Sequence, residues 1–500
     1  MASFFRGLET MMKNINSKKY EKIINIVVLL AISFVFSLQA TSDIFVYGGS
    51  YTDSSVFQYM GRMILSGGTP YKDAFDHKGP LIYLINALGL LINDKYGIWL
   101  LELLSLFVSV LFLFKITQLF VRNVYGYLIV VLGLTPLCVY FEGGNLTEEY
   151  ALPFISIALY IFIKYFIEND IKSYDVLISG FSFACVALLR VNMVSLWIVM
   201  CFGILVKLIV ERKYRNIWLF SFQFFIGVII CILPIMAWLL RNGAFQYFIE
   251  DYFRFNSIYA ASGADNLVSK LFGIKEVFVH FYSTKLVLIA IVIMFIFVIR
   301  TREYINILFL IYMVINGLMS AMSGRTYEHY GMIIVPMLVY PYALCLHFFD
   351  SINKKTAMVG IVVLTLLFSG HTWYNLCYNV FVEVKNAGEY RVDSNAVYIA
   401  DLVKRYSEED DKILVTDNWD IIYNLSDRFS VTKYSYQSPL ALSEELADEY
   451  RNQVKNNQPK VIVLRETFWD YEYIASYVKN NNYEKVGKLE DIGVAVYTAD

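Results

Sequence analysis

Residues 80–92, PLIYLINALGLLI, form an apolar stretch whose interpretation decides the topology of the chain. An α-helix needs about 20 apolar residues to cross a bilayer, whereas stretches of roughly 10 to 14 residues more often lie in the interface. Counting this stretch as a crossing would invert the orientation of every later segment. We therefore interpret residues 80–92 as a helix that lies along the outer leaflet.

The composition of the whole chain indicates a membrane protein. The 500 residues are 57% hydrophobic and 17% charged, and their mean hydropathy is +0.51. This composition is too apolar for a soluble multidomain protein. The formal net charge is only -2, which argues against a nucleic-acid partner.

Eleven segments are predicted to be transmembrane helices. Lysines precede the first segment and no small-residue cleavage site follows it, so we expect an uncleaved anchor with residues 1–21 in the cytoplasm. The predicted spans are residues 22–40, 97–114, 123–141, 150–167, 174–190, 192–210, 216–240, 285–300, 304–322, 331–349 and 357–379.

The basic residues support this topology. If residues 80–92 do not cross, the basic clusters between spans all fall on the side of the amino terminus, as the positive-inside rule requires. These clusters are Lys115/Arg122, Lys164/Lys172, Lys207/Arg212/Lys213/Arg215, Arg300/Arg302 and Lys354/Lys355. The loops 41–96, 142–149, 241–284 and 323–330 then face outward, together with the carboxyl-terminal tail.

The last 120 residues differ in composition from the rest. Residues 381–500 contain 14 of the 42 basic and 22 of the 44 acidic residues. Short apolar runs at 412–416, 460–464 and 493–497 predict strands, while 394–406 and 440–454 predict helices. The predicted fold is a polytopic α-helical membrane body over residues 22–380, followed by a small extracytoplasmic α/β domain over residues 381–500.

Ionisable residues are concentrated in the first outward loop, 41–96. Five apolar residues recur there at helical spacing and predict a short amphipathic helix flat on the membrane: Val56, Phe57, Met60, Met63 and Ile64. Asp53, Asp76, His77 and Lys78 lie near the hydrocarbon boundary, where burying a charge is expensive. Each has a structural alternative, because Asp53 suits a helix N-cap, Lys78 a snorkelling side chain and His77 a hydrogen-bonded turn.

Three other outward edges carry ionisable residues. Glu148 and Glu149 begin a span, where the helix dipole alone would favour them. Arg190 separates two spans, either in a tight turn or at an anion site. Arg325 and His329 lie between the spans that end and begin at 322 and 331. Their common placement at one membrane face predicts a shared cavity.

Several motifs carry a family resemblance: YTDSS at 51–55, ILSGGTPY at 64–71, DHKGPLIY at 76–83, GNLTEE at 144–149 and GRTYEHY at 324–330. With these motifs in this order, the chain resembles the GT-C superfamily of membrane glycosyltransferases. The resemblance is to the branch related to protein O-mannosyltransferases and lipid A aminoarabinose transferases. The resemblance covers roughly residues 22–345. One proline follows Gly79 where relatives often show two, and the tail carries no comparable resemblance.

The resemblance implies an enzyme that moves a hexose or pentose from a polyprenyl-phosphate donor to a glycan, lipid or protein acceptor outside the cell membrane. By position, Asp53 matches the general base, which accepts the proton of the attacking hydroxyl. Lys78, Arg190, Arg325 and His329 are the candidates for the donor phosphate, whose negative charge grows as it leaves. Asp76, His77, Glu148 and Glu149 are expected to support them.

Other functions and ligands stay open at this level. Some relatives use a divalent metal, but the acidic residues here show no ligand spacing that predicts one. A flippase or transporter of lipid-linked saccharides would also need many spans. Its charged residues are expected at the membrane midplane, and the two halves of its sequence are expected to be repeats of each other. A polysaccharide polymerase or ligase would differ only in its donor. In the tail, Asp417, Trp419 and Asp420 follow a predicted strand, either as acceptor-contacting residues or as turn residues.

Overall fold

The computed structural model describes residues 18–50, 52–261, 267–282, 284–350 and 354–499. Most of the predicted cytoplasmic segment, residues 1–17, lies outside these ranges. The described chain consists of a long helical region followed by a mixed α/β region. The helices of the first region are α1 Lys18–Ser37, α2 Thr52–Leu65, α3 Pro80–Ile92, α4 Gly97–Gln118, α5 Asn123–Leu134, α6 Leu137–Tyr140, α7 Thr147–Glu168, α8 Ser173–Ala187, α9 Ser195–Val210, α10 Tyr214–Arg241, α11 Phe245–Phe248, α12 Phe255–Ala261, α13 Leu267–Tyr282, α14 Lys285–Thr301, α15 Tyr304–Ser320, α16 Val335–Asp350 and α17 Lys354–Lys385.

Each of the eleven predicted spans coincides with helical structure, but the helices differ in length. Within the described ranges, six helical segments are long and apolar enough to cross a membrane: Tyr20–Ser37, Gly97–Gln118, Asn123–Tyr140, Thr147–Glu168, Tyr214–Arg241 and Glu328–Phe348. Helices α8, α9 and α15 are apolar but shorter. The structure thus fits a polytopic membrane protein, and the count of eleven crossings stays a prediction.

The two helices of the first loop pack against each other. Helix α3 has 13 residues, so it is about 20 Å long and shorter than the roughly 30 Å hydrocarbon core. The apolar side chains of α2, including Phe57 and Met60, are buried in the protein. The prediction that this apolar face lies on the membrane is therefore wrong, because α3 and the carboxyl-terminal region cover it.

The carboxyl-terminal region contains a five-stranded sheet in the order β2-β1-β3-β5-β4. Strand β1 pairs in parallel with β2 and β3, whereas β5 is antiparallel to β3 and β4. The three predicted strands and two predicted helices are confirmed. The elements are α18 Ser394–Arg405, β1 Lys412–Val415, α19 Ile421–Ser426, β2 Phe429–Ser430, α20 Glu444–Asn457, β3 Val461–Arg465, α21 Tyr471–Asn480, β4 Glu484–Leu489 and β5 Val494–Thr498.

This α/β region contacts the first loop directly. The amide of Phe75 donates to the carbonyl of Lys433 at 2.7 Å, and the Tyr59 hydroxyl accepts from the amide of Ser430 at 3.1 Å. Lys433 also forms a 2.8 Å ion pair with Asp251, between α11 and α12. The first loop is thus held between the helical body and the sheet, which positions its charged residues.

Candidate functional site

The charged turn 76–79 is fixed against the end of helix α8. The amide of Gly79 donates to the carbonyl of Leu189 at 3.0 Å, and the amide of Leu81 donates to the carbonyl of Leu188 at 3.2 Å. A Cβ on Gly79 would lie 2.0 Å from the carbonyl oxygen of Leu188, so only glycine permits this approach. The contact brings Lys78 towards Arg190, although 112 residues separate them in the sequence.

Asp53 lies in the first turn of α2 and faces this turn. Its Oδ2 is 3.6 Å from Nζ of Lys78, and its side chain is 40% exposed. Burial opposes the charge of Lys78, but Asp53 and Asp76 outweigh it and raise the pKa of the ammonium. The structure therefore brings the expected base and one expected phosphate ligand together as charged partners.

Asp76 is buried and accepts three hydrogen bonds. Its Oδ2 accepts from the Tyr83 hydroxyl at 2.8 Å, and its Oδ1 accepts from the Tyr436 hydroxyl and the His77 amide, both at 2.7 Å. Burial raises the pKa of the carboxyl, although Lys78 and these donors act in the opposite direction. With all its oxygens engaged, Asp76 holds the turn in place.

His77, in the first loop, packs against helix α12. Its ring centroid is 5.1 Å from that of Tyr259, and its Nε2 is 3.4 Å from Nζ of Lys78. Burial, followed by the positive charges of Lys78, Arg190 and Arg325, lowers the pKa of His77 well below its usual value. These three cations therefore act on one common space, in which His77 stays neutral.

Arg190 is held by a buried carboxylate and an aromatic ring. Its Nη1 donates to Oε1 of Glu148 at 2.5 Å, and its guanidinium lies 4.0 Å from the ring centroid of Tyr330. The Glu148 side chain is 3% exposed and also accepts from the hydroxyl of Thr147. Stacking on a ring occupies a face of the guanidinium, whereas its N–H donors point from the edges of the plane, where an anion binds.

Arg325 and His329 extend the same edge. The guanidinium of Arg325 lies 4.1 Å from the ring centroid of Tyr259, the residue that also packs against His77. Nδ1 of His329 hydrogen-bonds Oε2 of Glu142. This bond is the main cause that lowers the pKa of Glu142. His329 is therefore engaged by a carboxylate.

Glu149 lies apart from these contacts. Its Oε2 accepts from the amide of Asn145 at 2.9 Å, and Oε1 of Glu102 accepts from the same amide. The Asn145 side chain bonds Ser54 and Asn86, which joins α2, α3 and the start of α7. Glu149 thus supports the packing of these helices, while Glu148 supports Arg190.

Sequence reasoning missed the aromatic residues of the site. Tyr259, Tyr330 and Tyr436 each contact a predicted site residue. Tyr330 ends the motif 324–330, of which only Arg325 and His329 were predicted as site residues, while Tyr259 and Tyr436 lie outside the motifs. Within the ranges that the structure describes, no group of three or more His, Cys, Asp or Glu side chains is disposed to hold a metal ion. The structure assigns no ligands to the metal that the resemblance leaves open.

Comparison of the sequence with protein families gives one match. The model of the putative competence-induced protein Ccs4 N-terminal domain matches residues 8–360. The chain belongs to this family. No curated protein matches this Ccs4-family chain.

Comparison of the structure with solved structures shows the fold of the Ccs4-family chain. It is similar to ArnT from Cupriavidus metallidurans in the apo state, with a TM-score of 0.56 and 13% identity over 96% of this chain and 98% of that one. The same protein bound to undecaprenyl phosphate matches at 0.56 and 12% over the same shares. The archaeal oligosaccharyltransferase AglB from Archaeoglobus fulgidus, in complex with an inhibitory peptide and a dolichol-phosphate, matches at 0.51 and 11% over 96% of this chain and 75% of that one. These neighbours belong to the GT-C superfamily, and the expected resemblance is confirmed for the fold.

Proposed function

We propose that this Ccs4-family chain is an integral membrane glycosyltransferase. It transfers a sugar from a polyprenyl-phosphate donor to an acceptor at the outer face of the cell membrane. The observation that carries the proposal is the partly exposed Asp53 carboxylate beside Lys78. The turn that carries Lys78 is bonded to Leu189, next to Arg190, and its His77 packs on Tyr259, the ring that Arg325 also contacts. A base and several cations in one space suit the attack of a hydroxyl on a carbon that bears a phosphate leaving group.

Asp53 acts as the general base. As the acceptor oxygen bonds to the anomeric carbon, its proton passes to the Asp53 carboxylate, and the bond from that carbon to the phosphate oxygen breaks. The 40% exposure of the Asp53 side chain leaves its oxygens within reach of an incoming hydroxyl. Lys78, whose Nζ lies 3.6 Å from Oδ2, holds the Asp53 side chain in this position.

Lys78, Arg190 and Arg325 bind the donor phosphate and take up the charge that it gains on leaving. Arg190 is oriented by Glu148 and Tyr330, so its guanidinium is placed before the donor arrives. Neutral His77 adds no positive charge between these cations. His329, engaged by Glu142, is a more distant phosphate ligand.

The fold neighbours support a lipid-phosphate donor, since one was solved with undecaprenyl phosphate and another with a dolichol-phosphate and a peptide. The fold aligns with these proteins over nearly the whole chain. This supports a donor that enters from the membrane side. The α/β region faces outward in this proposal, and so do the loops that carry Asp53 and Arg325.

Purified protein incubated with radiolabelled prenyl-phosphate sugars and a cell-envelope extract tests the function. We expect label in an envelope acceptor without any membrane gradient. Movement of intact lipid-linked saccharide across vesicles, with no new bond, would instead identify a flippase or transporter. Transfer only from a lipid-linked polysaccharide would identify a polymerase or ligase.

A further inference from the structure

A cleft of about 240 Å³ lies between the first loop and the α/β region, next to Asp53. The first loop contributes residues on both sides of Asp53, and the sheet region contributes the loop that follows β1. The residues that line the cleft include Thr52, Ser55, Arg391, Asp393, Trp419 and Asp420. Asp53 itself does not line the cleft, but it lies between Thr52 and Ser55 in the chain, and its charge acts on Asp420 in the opposite wall.

Asp420 is the unusual residue of this cleft. It is 1% exposed, and among the described residues no hydrogen bond of normal geometry reaches either of its oxygens. The hydroxyl of Ser435 lies close enough to favour its charge, yet burial dominates and raises its pKa to about 7. A buried carboxyl without full hydrogen bonding is costly, so hydrogen bonds from a ligand would relieve that cost.

The neighbouring carboxylates show that this situation is specific to Asp420. Asp76 accepts three hydrogen bonds, and Asp417, in the same loop, accepts from Nη1 of Arg465 at 3.3 Å. Asp393 accepts from the amide of Asn395 and caps α18. Asp420 thus stands out as the carboxyl of the cleft whose oxygens lack such donors.

The charge of the cleft argues against an anionic ligand. Arg391 is its cation, and Nη1 of Arg391 already donates to Oε1 of Glu383 at 2.5 Å. Two carboxyls, Asp393 and Asp420, line the walls, and Asp53 is adjacent in the chain to Thr52. Phosphate or an acidic polymer would be repelled here, whereas neutral hydroxyl groups donate readily to carboxylates.

The loop after β1 also presents an aromatic ring. Trp419 is partly buried, and the guanidinium of Arg465 lies 5.0 Å from its ring centroid. The Arg465 guanidinium therefore covers part of the indole ring. An aromatic surface beside a hydrogen-bonding carboxyl suits a ligand that has both an apolar face and polar edges.

We propose that this cleft binds a neutral saccharide acceptor, with Asp420 accepting from its hydroxyls and Trp419 packing against one face of a sugar ring. The inference rests on the proposed function, since the bound sugar presents its attacking hydroxyl to Asp53. The inference makes the proposed function more specific, because it names a glycan, and not a peptide or an anionic lipid, as the acceptor.

Hydrogen–deuterium exchange of the full chain in detergent, without donor, tests the cleft. The probes are neutral oligosaccharides released from the cell envelope by mild acid and, separately, peptides from digested secreted proteins. We expect the oligosaccharides to slow exchange at residues 417–421 and 52–55. Asp420→Asn and Trp419→Ala should each weaken this protection at least tenfold. The matched variant Asp411→Asn should retain it, because Asp411 accepts from the Glu408 amide in the turn before β1 and does not line the cleft.

Protection by the peptides alone, or by neither probe, would overturn the inference, as would equal losses in Asp411→Asn and Asp420→Asn. Binding of undecaprenyl phosphate is measured on the same samples and is expected to stay unchanged in all three variants. Oligosaccharide protection in a protein that fails to use any prenyl-phosphate sugar would refute the proposed function and leave the saccharide site standing.

Discussion

Nζ of Lys78 lies 3.6 Å from Oδ2 of Asp53, so the proposed base and a proposed phosphate ligand neutralise each other. An arriving phosphate competes with Asp53 for Lys78. The carboxylate then loses part of its pairing as the donor binds, which makes it available to an acceptor hydroxyl. For the proposed reaction, this contact predicts that the donor binds before the acceptor.

Asp53→Asn should lower kcat by about 10²- to 10⁴-fold, the usual contribution of a general base. Binding of undecaprenyl phosphate should be retained or tighter, because an amide no longer competes with the phosphate for Lys78. Transfer of labelled sugar and lipid binding measure the two effects. Asp94→Asn is the control, since Asp94 pairs with Arg62 on the exposed side of the same loop. Substantial activity in Asp53→Asn would exclude Asp53 as the base.

Arg190→Gln should cost about 3–5 kcal/mol of folding stability, because it leaves the buried Glu148 carboxylate without its partner. The double variant Arg190→Gln/Glu148→Gln should recover most of that stability and still show a raised donor KM. Thermal unfolding and initial rates at several donor concentrations separate the two roles. A double variant with wild-type donor KM would make Arg190 purely structural.

Tyr436→Phe removes a donor from buried Asp76 and should cost about 1–3 kcal/mol. Transfer activity should fall as well, since Asp76 orders the turn that carries Lys78. Tyr434→Phe provides the comparison, because its hydroxyl bonds Glu449 within the α/β region, away from that turn. Equal activities of the two variants would show that the Asp76 contact does not matter for the site.

Asp420 predicts a pH effect on stability. Its pKa is raised to about 7 in the folded chain, whereas an unfolded aspartate titrates near 3.9. Between these values the native state holds the extra proton, so this group's contribution to stability falls as the pH rises from about 4 to about 7. Asp420→Asn should therefore raise Tm relative to wild type more at pH 8 than at pH 5. A difference independent of pH would contradict the shift.

The topology is tested by cysteine labelling of intact cells. Thr326→Cys, exposed in the loop 323–330, should react with a membrane-impermeant maleimide from outside. Lys213→Cys, in a predicted cytoplasmic turn, should react only after permeabilisation. Both are made in a Cys377→Ser background, because Cys377 is exposed in the native chain. The reverse pattern would place the candidate site in the cytoplasm.

The sequence was sufficient to predict elements that depend on local periodicity. The strands at 412–416, 460–464 and 493–497 and the helix at 80–92 were predictable from their lengths, since apolar runs of about 4–8 residues favour strands and longer runs favour helices. Strand β4 was missed because its sequence, EKVGKL, is largely polar at a sheet edge.

The contacts of the site were less predictable. Asp76 and Tyr436 are 360 residues apart, and nothing in the local sequence of Tyr436 signals a buried carboxylate. The apolar face of α2 was predicted to lie on the membrane for the same reason. The sequence pattern of such a face is the same whether it contacts a bilayer or a neighbouring domain. Such pairings depend on tertiary packing, which a single sequence does not reveal.

The close approach of Gly79 to the Leu188 carbonyl has a consequence for selectivity. Because main chain touches main chain there, the separation between Lys78 and Arg190 is set by backbone geometry and not by flexible side chains alone. A larger or differently shaped anion gains nothing by pushing the two cations apart. Discrimination between anions of different size would then reside in this junction, and a methyl group at position 79, 2.0 Å from the Leu188 carbonyl oxygen, would force the two main chains apart.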